Sequence, residues 1–383
     1  MVTMSFLASP WSSLTAARAF LCFLVDGQRR LPLDELTLDA HAAAEWLTEQ
    51  GLAPLAFLRC RVGYPDLVPY LEGAAFSAVA GNSLRCQNLA QVAAAFQEAQ
   101  LPLVLLKGAA LVEGTYGGWE ERTMSDIDLW LRPATMARAM RLMESLGFQS
   151  IEQAARPLSL QALAGGEVQY WRPHEDGWRT QDLVELHLSP FPGWWLRRTA
   201  AIDTEGLWAR LEPLKDAYQL SAEDTIIHLA VHLAVNHQFG RAVIRSLLDI
   251  AMTAQARQVD WKLVAQRARQ WRVGVAVWLT LSLLEALFAV ENVETALVQL
   301  RPSRARRRML ARFVTPTRLL EGADPRRSRA RLLLLLLLVD RPQDMGYLAY
   351  RTIWPEDEWL EARYDQDGDH WQHLWRLVRS GEL

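Results

Sequence analysis

Residues 122–131 read RTMSDIDLWL, and this stretch restricts the fold more than any other in the chain. Ile127, Leu129 and Leu131 alternate with Asp126, Asp128 and Trp130, the period-two pattern of a strand with one face in a core. Asp126 and Asp128 then project from the same face, one pleat apart, and repel each other. A strand can carry such a pair on a solvated edge, where water screens the charges, or around a cation. The ion that suits two carboxylates is a hard, oxygen-seeking divalent one, Mg²⁺ or Mn²⁺. The spacing alone does not choose between edge and ion.

The surrounding pattern gives the fold class. Helical spacing dominates up to residue 100, for example in HAAAEWLTEQG and GNSLRCQNLAQVAAAFQEAQ. Short apolar runs follow, each cut off by glycine or proline: LPLVLLKG, SDIDLWLRP, GEVQYWRP and DLVELHLSP, which read as strands. Between the first two, AALVEGTYGG reads as a short helix. ATMARAMRLMESLGF is an amphipathic helix with Met136, Met140 and Met143 on one face and Gly147 as its stop. From about residue 200 the chain turns helical again, with Ser221 placed to cap SAEDTIIHLAVHLAVNH. The expected architecture is α+β: a small mixed sheet at 101–198, an N-terminal helical region at 1–100 and a C-terminal helical domain at 199–383.

Composition excludes several classes. The chain has 383 residues, half of them hydrophobic, and a net charge of −3, so there is no bulk attraction to nucleic acid or anionic lipid. Cys22, Cys60 and Cys86 are widely spaced with no CxxC pair, which suits a reducing, cytoplasmic setting. The N-terminal stretch lacks the basic start of a signal peptide. LLLLLLLV at 332–339 falls short of the roughly 20 apolar residues needed to span a bilayer.

DLVELHLSP repeats the logic of the first strand. Val184, Leu186 and Leu188 make an apolar face, while Glu185 and His187 point the other way. If the two strands are neighbours, Asp126, Asp128 and Glu185 converge. Three carboxylates can hold two divalent ions about 3.5–4 Å apart, a device for in-line displacement at phosphorus. Asp182 competes with Glu185 as the third acid but falls on the apolar side. The strand, Lys107–Gly108 turn and helix of LLKGAALVEGTYGG supply a phosphate cradle from free backbone N–H groups and the helix dipole. Lys107 or Arg122 would neutralise the phosphates.

Together, LLKGAAL and TYGGWEERTMSDIDLWL resemble the nucleotidyltransferase fold of the polymerase-β-like superfamily. Within it, the chain is most similar to a bacterial group described as an uncharacterised nucleotidyltransferase family. In that group an L-K-G turn stands in place of the superfamily's more usual Gly-Ser. An R-x-x-S-D-I-D-L segment follows, and a later strand ends in D/E-L-H. Here these are Lys107–Gly108, Arg122 with Ser125, Asp126 and Asp128, and Glu185 with His187. The resemblance implies transfer of a nucleoside monophosphate from a nucleoside triphosphate, ATP in the first instance, with Mg²⁺ on Asp126, Asp128 and Glu185 and with His187 as an orienting neighbour. The acceptor it implies is a small molecule, a peptide or protein side chain, or an RNA end. Two departures stand out: the third acid is more usually Asp than Glu, and the serine of Gly-Ser is missing. The alternatives are a nucleotide-binding module without turnover and a nucleic-acid-binding protein.

The last alternative rests on residues 301–331, which hold eleven arginines against Glu321 and Asp324, in a stretch that Pro302, Pro316 and Pro325 break up. His228, His232 and His237 are spaced to pack against the site or to hold Arg245 or Asp249, more readily than to bind zinc. Trp119, Trp130, Trp194 and Trp195 lie close enough in sequence to the site to stack on a base or an acceptor.

Overall fold

The computed structural model describes residues 10–27, 39–151, 166–172, 182–240, 242–327, 331–364 and 369–380. At its centre is the strand β2 (Asp126–Trp130), which pairs antiparallel with β1 (Val104–Leu106) and parallel with β5 (Asp182–His187). With β3 (Gln149–Ser150), β4 (Glu167–Arg172), β6 (Glu212–Leu214) and β7 (Ala217–Gln219), these form a seven-stranded sheet in the order β3-β4-β5-β2-β1-β7-β6. Pairings of both senses occur, so the sheet is mixed, as expected for this α+β chain. Two of its strands, β6 and β7, lie beyond residue 198, within the stretch the sequence assigns to the C-terminal helical domain.

Alternation sorts the strand residues onto two covered faces. Ile127, Leu129, Leu131, Val184 and Leu186 share a core with Val92 and Phe96 of α4 (Val68–Glu98) and Met136 and Met143 of α6 (Pro133–Ser145). Val104, Leu106 and Trp130, on the opposite face, join a second core built by the helical regions. The face that carries Asp128 is therefore roofed by helices, not solvated. That disposes of the exposed-edge explanation for the two aspartates.

The two helical regions are one body. Leu21 and Leu24 of α1 (Leu14–Val25) and Leu47 of α2 (Ala40–Glu49) share the second core with Leu247 and Leu281. The leucine run belongs to it as well, with Leu334, Leu335, Leu337 and Leu338 buried. Among the described residues, no helix is long and apolar enough to cross a membrane. The helix signals read from sequence hold: Ser221 Oγ accepts from Asp224 N, and Gly147, at φ +84°, ends α6 in the left-handed conformation that glycine adopts without strain.

Candidate active site

The site is built around the corner where β1 gives way to α5 (Lys107–Gly114). Lys107 makes the corner, with φ +45°, a left-handed backbone costing a side-chain-bearing residue about 1–2 kcal/mol. The corner turns the lysine back over the sheet, where its Nζ lies 2.6 Å from Asp128 Oδ1. Gly108 follows for a steric reason: a Cβ there would stand 2.7 Å from Nη1 of Arg122. No side chain caps the start of α5. Its first N–H groups and dipole are therefore not claimed by a capping residue.

Register brings the acids together. Asp128 is paired with Leu106 on one side and Glu185 on the other, and Glu185 in turn with Gln169 of β4. Glu167 is opposite His187. Three adjacent strands thus line up Asp126, Asp128, Glu185, His187, Glu167 and Gln169 on one face. His187 Nε2 is 2.8 Å from Asp128 Oδ1 and 3.4 Å from Glu185 Oε2, so it bridges the two carboxylates. Gln169 Nε2 donates to Glu185 Oε1 at 2.7 Å and fixes that side chain. Asp126, less buried, accepts from Ser125 Oγ at 3.0 Å.

The electrostatics follow from crowding charge in a dry place. Burial opposes the Asp128 carboxylate, but Lys107 and the hydrogen bond from His187 overcome it and hold its pKa below the usual range. Burial likewise opposes a charged His187, yet hydrogen bonds to Asp128 and Glu185 raise its pKa to about 9. Asp126 shifts the other way, pushed up by burial and then by the like charge of Asp128. Glu167 is also raised, by burial and by Glu185.

These residues fit a hard divalent ion. Asp128 Oδ2 is buried and has no hydrogen-bond partner among the described residues. Asp128, Glu185 and His187 present ligand atoms within 4.8 Å of one another. This close trio contains His187 and not Asp126, although Asp126 projects from the same strand face. The side chain of Asp182, the rival third acid, lies outside the described residues.

Arg122 occupies a different place from the one its sequence position suggests. Its Nε and Nη2 grip Asp249 Oδ1 and Oδ2 at 2.7 and 2.8 Å, and its Nη1 donates to Thr123 O at 3.2 Å. Tyr116 Oη donates to the same aspartate at 2.8 Å. The guanidinium is therefore committed to a carboxylate and braces the helix Val243–Ala256 against Gly108. The loop carrying it is latched by Asn82 of α4, fully buried. Asn82 Nδ2 donates to the carbonyls of Trp119 and Arg122, both at 2.6 Å, and its Oδ1 accepts from Met124 N at 3.0 Å.

A strand–helix corner and clustered acids on adjoining strands are what the resemblance implies. The family profile described as an uncharacterised nucleotidyltransferase matches residues 37–289, which span the sheet and the helices from Ala40 to Phe288. The chain belongs to this uncharacterised nucleotidyltransferase family. Comparison with curated proteins and with solved structures finds no match. Membership gives the nucleotidyltransferase type of function and, through it, a nucleoside triphosphate as substrate.

In this nucleotidyltransferase the remaining sequence readings sort themselves by burial. Trp130 cannot stack on a ligand: it is fully buried, donates to Leu188 O at 3.3 Å and packs on Trp208 at 4.4 Å between centroids. Trp194 has its face covered by Arg198, 4.0 Å from the ring centroid. His228, His232 and His237 form a run of ring contacts, but they do not hold Asp249, which Arg122 and Tyr116 take. The arginine-rich stretch is divided: Arg301, Arg304, Arg308, Arg312 and Arg318 are exposed, while Arg306 bonds the carbonyl of Val339 and Arg326 pairs with Asp324. Asn82 and Gln169 carry no motif and have no place in the sequence reading. Asn82 did leave a trace, as it interrupts the buried series Ala75, Leu89 and Phe96 at seven-residue spacing.

Proposed function

We propose that this protein transfers a nucleoside monophosphate from a nucleoside triphosphate, ATP in the first instance, to an acceptor hydroxyl or phosphate and releases pyrophosphate. The acceptor oxygen attacks the α-phosphorus, the bond from that phosphorus to the β-phosphate oxygen breaks, and the electron pair leaves with pyrophosphate. Asp126, Asp128 and Glu185 would hold Mg²⁺ or Mn²⁺, with His187 beside them. When bound, the metal supplies charge neutralisation on the phosphates and acidifies the attacking hydroxyl.

The observation that carries this reading is the pairing of Asp128 with Glu185 on parallel strands, facing the Lys107–Gly108 corner. The chain's own residues set the stage in specific ways. Lys107 supplies a fixed positive charge over the acids: burial opposes that charge, but Asp128, Glu185 and Asp126 overcome it and keep the lysine protonated. Gln169 holds Glu185 through Oε1 and His187 holds Asp128 through Oδ1, which leaves Asp128 Oδ2 without a hydrogen-bond partner among the described residues.

A binding module without turnover has one observation in its favour: Lys107 and His187 already compensate Asp128 Oδ1. The experiment that separates the two readings offers α-labelled ATP, GTP, CTP and UTP with Mg²⁺ and a mixture of acceptors to the full chain. Metal-dependent pyrophosphate release and a labelled acceptor are expected. Both should disappear in Asp126→Asn, Asp128→Asn and Glu185→Gln. Nucleotide binding without release, under every acceptor tried, would leave the module.

A further inference from the structure

A triphosphate needs cations at its far end, and Arg122, the residue its sequence position nominates, is already closed onto Asp249. The next guanidinium is that of Arg245, four residues before Asp249 on the helix Val243–Ala256. It stands beside Arg122 and is part-buried, and its Nη1 reaches Thr123 O at 3.4 Å. Among the described residues no carboxylate lies within 4.0 Å of it, the distance that defines every ion pair found elsewhere in the chain. Burial and the like charge of Arg122 both weaken its hold on its proton. A part-buried guanidinium with no carboxylate in contact is repaid for its desolvation only in part, by the charges of Asp249 and Asp126.

A second set of unsatisfied groups adjoins it. His237 lies edge-on to His232 at 4.4 Å, and His232 stacks on His228 at 6.1 Å. His228 is 1% exposed, and neither of its ring nitrogens has a hydrogen-bond partner among the described residues. The same holds for His232 Nδ1 and Gln238 Oε1. Burial, and after it the charge of Lys107, keep all three imidazoles neutral. The backbone that presents them is irregular. A π-turn at His232–Asn236 is followed by Gln238, Phe239 and Ala242 at φ between +50° and +54°. Strain and a π-turn held together at one place mark a segment shaped for a ligand.

Resting on the nucleotidyltransferase reading above, we propose that Arg245, with the imidazoles of His232 and His237, is the subsite for the terminal phosphates of the nucleotide. Its ligand class is the pyrophosphate moiety. The planar guanidinium offers a two-pronged grip on phosphate oxygens, and each neutral imidazole offers one N–H. Arg122 is then a positioning residue, holding the helix that carries Arg245 at its distance from the sheet.

The test is calorimetric titration of the full chain with inorganic tripolyphosphate in the presence of Mg²⁺. Arg245→Gln is expected to weaken binding at least tenfold and Arg245→Lys to recover part of the loss, with circular dichroism unchanged. His237→Gln is expected to weaken binding several-fold, and it keeps the test alive if Arg245→Gln does not fold. Should wild type and Arg245→Gln bind tripolyphosphate equally, the subsite is wrong while nucleotide transfer stands. Should wild type bind neither tripolyphosphate nor any nucleoside triphosphate, the nucleotidyltransferase reading fails and the subsite with it.

Discussion

Lys107 Nζ sits 2.6 Å from Asp128 Oδ1, and the aspartate side chain is wholly shielded from solvent. The lysine reaches it by accepting a left-handed backbone at the strand–helix corner. Removing one partner of such a pair leaves an uncompensated buried charge. We therefore expect Lys107→Met to lower unfolding stability by about 3 kcal/mol, read from urea denaturation. Lys107→Arg keeps the charge and should lose much less. If Mg²⁺ binds the same carboxylates, it should restore more stability to Lys107→Met than it adds to wild type, because it substitutes for the missing ammonium.

Gly108 and Arg122 Nη1 leave no room for a methyl group between them: an added Cβ would sit 2.7 Å away. Gly108→Ala must therefore push the guanidinium, loosening its bidentate grip on Asp249. The expected cost is about 1–3 kcal/mol of stability, together with weaker nucleotide binding. The comparison that checks the cause is Gly108→Ala placed on an Arg122→Leu, Asp249→Leu background. If the clash is with Arg122, the alanine costs almost nothing there; an undiminished cost would locate the strain elsewhere.

How far the sequence reveals this arrangement depends on the range of the interaction. The faces of β2 and β5 are local, set by the alternation of Ile127 and Leu129 with Asp126 and Asp128, and of Val184 and Leu186 with Glu185 and His187. They are readable directly. That β2 and β5 are parallel neighbours is a tertiary choice made across more than fifty residues, and it enters the sequence reading only as a condition. Arg122 shows the same limit from the other side. Nothing near it in the chain announces Asp249, which meets it from 127 residues away. The β6–β7 hairpin is missed because three-residue strands carry too little alternation to stand out from the helices around them. The Gly108 corner is half legible: the turn is foreseen, but the left-handed residue is Lys107, and the glycine serves the approach of Arg122.

Asn82 satisfies two carbonyls and one N–H of the loop that delivers Arg122, Ser125 and Asp126. Its seven-residue spacing from Ala75 and Leu89 makes leucine the residue that the helix pattern alone would place there. Asn82→Leu should nonetheless destabilise the protein by roughly 2–4 kcal/mol, since two buried backbone groups and one part-buried one lose their partner, at about 1–3 kcal/mol for each buried group before any relaxation. Hydrogen exchange provides the specific readout, with amides of residues 115–125 losing protection before those of β2. Uniform loss across the sheet would show that the asparagine stabilises the core generally and does not latch the loop.

The imidazoles over the site predict an acid-side weakness in the metal-free protein. Burial, and then Lys107, lower His228 to about 3 and His237 to about 4, against an unfolded value near 6.5. Below pH 6.5 the unfolded chain therefore binds protons that the folded chain refuses, so stability declines as pH falls toward 4. At pH 5 the fully buried His228 alone accounts for roughly 2 kcal/mol of this loss, while the less buried His237 adds a smaller share. His228→Phe, close in volume and already facing Phe191, removes the titration. Its urea midpoint should fall less than that of wild type between pH 7.5 and 5, because the carboxylates titrate equally in both. Parallel pH profiles for the two proteins would mean that His228 is protonated, or reached by water, in the folded state.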